Sequence, residues 1–109
     1  MRVAILWSGN EKLLAQTMEE LITQSQCYLF SVICGGQSSE RATLSASYKW
    51  ATANGAPVEF LIEENLEKLI DKLVAAADFL VAYNDGNQIT KRIIMKFKSA
   101  GKHGKVVSA

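Results

Sequence analysis

The 109-residue chain reads as an α/β fold of three layers, α/β/α, around a mostly parallel five-stranded sheet, with one domain spanning 1–109. Three observations predict this. Short apolar runs alternate with segments whose apolar residues recur at helical spacing, in the order β-α-β-α-β-α-β-α-β. Glycine, asparagine and serine mark the junctions. No linker, internal repeat or low-complexity segment interrupts the alternation. Right-handed crossovers then place parallel strands between two helix layers.

The first run, Arg2 to Trp7, is continuously apolar, as a strand buried on both faces requires. Ser8-Gly9-Asn10 breaks it, and Leu14, Met18, Leu21 and Ile22 then mark the inner face of a helix over 10–25. Cys27 to Cys34 is the second strand, ended by Gly35-Gly36. One helix is expected from Ser39 to Ala53, with Ala42, Ala46, Trp50 and Ala53 inward, stopped by Asn54-Gly55 and Pro57. Val58 to Ile62 is the third strand. Glu63 and Glu64 are expected to open the next helix, where acidic groups suit the dipole, and Leu66, Leu69, Ile70, Leu73 and Val74 form its stripe. Asp78 to Tyr83 is the fourth strand and Asn84 to Asn87 a turn. Ile89, Ile93, Phe97 and Ala100 give the last helix its inner face, and Lys105 to Ser108 a final strand.

Composition narrows the function classes. Hydrophobic residues are 49% of the chain and charged residues 21%, enough for one core without disulfides or metals. A formal net charge of +1 gives no field to draw nucleic acid or an anionic membrane, so nucleic acid is not an expected partner. No apolar run approaches a membrane span, and the opening run is too short for a signal peptide. Cys27 and Cys34, seven residues apart in one predicted strand, cannot reach each other, so reduced thiols and a cytoplasmic location are expected. With no CxxC pair and His103 as the one histidine, in a Gly/Lys loop, a zinc site is not expected, nor is any cofactor.

Three turns follow strands and precede helices: Ser8-Gly9-Asn10, the stretch Gly35-Gly36-Gln37-Ser38-Ser39, and Asp85-Gly86-Asn87 through Thr90. In parallel sheets ligands bind beyond the carboxyl ends of the strands, where helix N-termini offer unpaired N–H groups to an anion. These residues are the candidate ligand contacts. Each also has a plainer reading. The glycines can serve only the turns, Ser38 or Ser39 a helix cap, Glu40 the dipole, and Arg41, Lys91 and Arg92 solvent. Trp7 stacks on a base or belongs to the core. Cys34, with no histidine near it in the pattern, is a buried strand thiol.

The ordered set resembles the SLOG superfamily, Rossmann-like nucleotide-binding domains of the DNA-processing protein A and lonely-guy type. Three pieces carry the resemblance. One is a strand ending in Gly35-Gly36 before a small-residue helix that closes on Trp50-Ala51-Thr52-Ala53-Asn54-Gly55-Ala56-Pro57-Val58. Another is Ala77-Asp78-Phe79-Leu80-Val81-Ala82-Tyr83-Asn84-Asp85-Gly86 with Thr90 beyond it. The last is Ala100-Gly101-Lys102 before Val106-Val107. The chain departs from the family at Trp7-Ser8-Gly9, where a Gly-Ser-Arg-like turn is common, and at Ile89, where glycine often precedes the threonine. The branch that hydrolyses nucleotides carries Gly-Gly-x-Gly-Thr-x-x-Glu. Laid on Gly35, that pattern puts Ser38 at the third glycine, Ser39 at the threonine and Ala42 at the glutamate. Glu40 lies about 200° away around the helix.

The resemblance implies a module that binds a nucleotide or nucleotide-derived small molecule, as a sensor or a sequestering protein. It also implies a homodimer or higher homo-oligomer, with Tyr48, Trp50 and Met95 as candidate surface. One alternative is an N-glycosidic hydrolase using Glu40 or Asp85. Another is a protein-interaction module on a degenerate pocket.

Overall fold

The computed structural model describes residues 1–25 and 30–108. In chain order the elements are β1 (Arg2–Leu6), α1 (Glu11–Ser25), β2 (Ser31–Gly36), α2 (Ser39–Leu44), α3 (Ala46–Ala53) and β3 (Val58–Ile62). They continue with α4 (Leu66–Ala76), β4 (Phe79–Asn84), α5 (Gln88–Ser99) and β5 (His103–Ser108). The five strands form one sheet in the order β3-β2-β1-β4-β5, and every pairing is parallel, so the mostly parallel sheet expected from sequence is wholly parallel.

Side chains of the inner strands alternate between two cores. Val3, Ile5, Val32, Cys34 and Val81 pack with Leu14 and Met18 of α1 and Ala51 of α3. Ala4, Ile33, Leu80 and Ala82 pack with Ile70 and Leu73 of α4 and Ile93, Ile94 and Phe97 of α5. The two-residue period of a strand thus sorts one apolar run onto two faces, which accounts for its unbroken hydrophobicity. Among the described residues no helix is long and apolar enough to cross a membrane.

Several details differ from the sequence reading; the last strand, for one, begins at His103, expected in a loop, and the fourth runs through Asn84, expected in a turn. The second helix is two. Ser45 is extended (φ −70°, ψ 152°) and both ends α2 and caps α3: its Oγ donates to Ala42 O at 2.6 Å and accepts from Tyr48 N at 3.3 Å. The break shifts the helical phase, so Ser47 and Ala51 are buried while Ala53 is exposed. Glu63 and Glu64 precede α4 rather than open it, because Asn65 is the cap, its side chain accepting from Lys68 N. In α5 the inner face is Ile93, Ile94 and Phe97, and Ile89 and Ala100 are exposed. The strand expected over 27–34 begins at Ser31 within the described residues, and Cys27 lies outside them.

The winding determines where a site can form. From β1 the chain moves outward to β2 and β3 through helices on one face. It returns by α4 across the other face to β4, on the opposite side of β1. The carboxyl ends of β1 and β4 therefore lie side by side, with their following helices leaving on opposite faces.

Candidate functional site

Two of the three predicted turns meet at this switch point. Ser8, just past β1, donates its hydroxyl to Asp85 Oδ2, just past β4, at 2.6 Å. Below them Trp7 and Tyr83 lie with ring centroids 5.2 Å apart. Gly9 belongs to the same packing: a Cβ there would come within 2.8 Å of the Tyr83 ring. Asn10 then starts α1, its Oδ1 accepting from Lys12 N at 2.7 Å and its carbonyl from Trp7 Nε1 at 3.0 Å. Tyr83 was not singled out from sequence. The signal was available, since aromatic residues close the runs of both strands that flank the switch point.

The turn after β4 is built from nested side-chain bonds. Asn84 Oδ1 accepts from Gly86 N, Asp85 Oδ1 from Asn87 N, and Asn87 Oδ1 from Ile89 N at the start of α5. Gly86 sits at φ 91°, a left-handed value that glycine adopts without strain. Thr90 is half-buried in the first turn of α5. The Ser8 hydroxyl, and after it the Asn87 amide, hold the Asp85 carboxyl below the usual carboxylate range. Asp85 is therefore an exposed anion with two donors already in place, suited to accept from hydroxyl or amine groups and to repel phosphate.

The third turn, Gly35 to Ser39, lies at the end of β2 beside β1 in the sheet. Its glycines are close-packed. A Cβ on Gly35 would lie 3.4 Å from Leu73 of α4, and one on Gly36 would lie 3.3 Å from Ala42 N in α2. Ser38 caps α2, accepting from Arg41 N, and Gln37 Nε2 donates to Glu64 O at 2.8 Å. Ser39 and Glu40 are exposed in the first turn of α2. The side-chain bonds of this corner thus run to α2 and to the segment after β3.

The site is exposed at Ser8, Asn10, Asp85, Gly86 and Asn87. Concavities elsewhere surround Trp50 in the groove between α1 and α3. One of about 490 Å³ is lined by Ile22, Phe30, Trp50, Asn54, Ala56 and Pro57, towards the amino ends of the strands. Another of about 330 Å³ runs along Leu14, Ala15, Ala46 and Ala53. Of the three residues expected at a subunit surface, Met95 is exposed, while Trp50 stacks on Phe30 and Tyr48 lies tilted against Phe60. Cys34 is buried and free, its thiol pushed up by burial and receiving a weak bond from Ser47. Among the described residues no group of His, Cys, Asp and Glu is placed to hold a metal ion.

No protein-family model matches the chain, and neither the curated proteins nor the solved structures include one that matches it.

Proposed function

We infer that the chain is a SLOG-like binding module for a nucleotide or nucleotide-derived small molecule, held on the carboxyl shelf between β1 and β4. The observation that carries this reading is the Ser8–Asp85 bond across the switch point. It fixes a charged acceptor where ligands of parallel sheets collect, between the N-termini of α1 and α5 and above the Trp7–Tyr83 pair. In this reading Asp85 accepts from sugar hydroxyls. The anionic part of the ligand is kept away from that carboxylate, towards Arg41 and the turn after β2.

Binding without cleavage is the version we retain. Ala42, buried against Gly36, stands where the hydrolase pattern has its glutamate, which leaves that position without a carboxyl.

Calorimetry and thermal shift with nucleotides, dinucleotides and cyclic nucleotides test the reading. At least one is expected to bind, and Asp85→Ala to weaken it tenfold or more, about the cost of one hydrogen bond to a charged group. A panel with no binder, or binding indifferent to Asp85→Ala and Ser8→Ala, would sink it.

A further inference from the structure

The two edges of the sheet are unlike. At the β5 edge Lys105 is exposed, and a lysine on an edge strand hinders pairing with another chain. The β3 edge has no such guard. Its one charged residue, Glu59, is drawn back over the sheet. Arg2 donates to both of its carboxylate oxygens, at 2.9 and 3.1 Å, and Ser31 Oγ donates at 3.0 Å.

The backbone of β3 points its free groups outward at defined residues. Val32 N donates to Pro57 O and Glu63 N to Gly36 O, so the odd-numbered residues bond to β2. Val58, Phe60 and Ile62 therefore direct their N–H and C=O groups to the open edge. These same three carry apolar side chains on one face, where Phe60 is 51% and Ile62 39% exposed. Tyr48 contacts Phe60, and Leu44 of α2 is 66% exposed. Among the described residues no strand pairs with this edge.

We propose that β3 pairs with β3 of a second copy, antiparallel about a two-fold axis through Phe60, joining two sheets into one. The sequence of the strand favours this occupant because, with the axis at Phe60, every outward-bonding residue meets an apolar residue and no charge meets its like. Phe60 faces Phe60, Val58 faces Ile62, and each outward donor meets an outward acceptor. Glu59 comes opposite Leu61, so the two carboxylates do not face each other, and each is neutralised by its own Arg2. The exposed rings fall on the same side of the joined sheet and form one apolar patch.

Light scattering on a sizing column, across the micromolar range, tests this on the full chain. The expected mass is that of a dimer. Phe60→Lys, which sets two ammonium groups against each other at the axis, halves the mass with the far-UV spectrum unchanged. Ile62→Lys gives the same result and serves if Phe60→Lys does not fold. Met95→Lys, at a residue 67% exposed on α5, leaves the mass alone. A wild-type chain that stays monomeric, or a dimer that survives both β3 variants, overturns the proposal.

Discussion

Gly9 and Gly104 are both crowded, and what crowds them decides what a substitution does. A Cβ on Gly9 would meet the Tyr83 ring first, at 2.8 to 3.0 Å. That ring is a half-buried side chain against Trp7, not a backbone atom held in a ladder. Gly9→Ala is therefore expected to leave the melting midpoint nearly unchanged and to weaken any ligand identified for the shelf, as titration of wild type and variant would show. At Gly104 a Cβ would lie 2.9 Å from the backbone oxygen of Leu80, in the strand that β5 pairs with. Backbone in a ladder cannot step aside, so Gly104→Ala is expected to cost about 1–3 kcal/mol in urea unfolding. An unchanged urea midpoint would mean that β5 tolerates a larger shift than its register implies.

Elements here are ended by side chains as much as by glycine. Ser45 separates α2 from α3 by donating to Ala42 O, accepting from Tyr48 N and sharing a bond with Ser47. Ser45→Ala is expected to cost about 1 kcal/mol, the usual loss of a cap, with the helical signal kept or raised as the two helices merge. Lys102 closes α4 from a distance, its ammonium reaching Val74 O, Ala75 O and Ala77 O at 2.5, 3.2 and 2.8 Å. Lys102→Met keeps the stem and removes the donors, with an expected loss of about 1–3 kcal/mol in the same measurement. These two residues also mark what was legible in the sequence. The strands, their parallel direction and the three turns could be read because each rests on local periodicity and turn chemistry. The helix break could not, since serine within a helical pattern is ambiguous until its neighbours' bonds are known. Nor could the meeting of Ser8 with Asp85, 77 residues apart in sequence, which follows from the strand order β1-β4 and has no local signature.

Charge is segregated across the whole molecule. Residues 86–109 hold six cations (Lys91, Arg92, Lys96, Lys98, Lys102 and Lys105) and no Asp or Glu, so all 11 acidic residues precede them. The α4–α5 face joins the two populations through Arg92–Glu67 and through Lys96–Asp71 at 2.7 Å. Four carboxyls titrate below their ordinary range, each mainly through one donor: Glu59 by Arg2, Glu63 by Lys72, Glu67 by Arg92 and Asp85 by Ser8. A carboxyl with a depressed pKa in the folded state binds fewer protons there than in the unfolded chain. Its contribution is complete above the unfolded value, about 4, and is lost as pH falls through the folded one. All four side chains are solvent-accessible, so salt weakens the pairs. Cys34 has the opposite sign: burial raises its pKa, so its contribution is complete in neutral solution and declines as pH rises past the ordinary thiol value. Unfolding free energy is thus expected to be flat around neutrality and to fall on both sides, with Cys34→Ala flattening the alkaline limb alone. On the acid side, protonating Glu67 leaves Arg92 of α5 without its counter-charge. Hydrogen exchange at about pH 3 should then show α5 losing protection before α1, and equal loss in the two helices would detach acid sensitivity from the α4–α5 pairs.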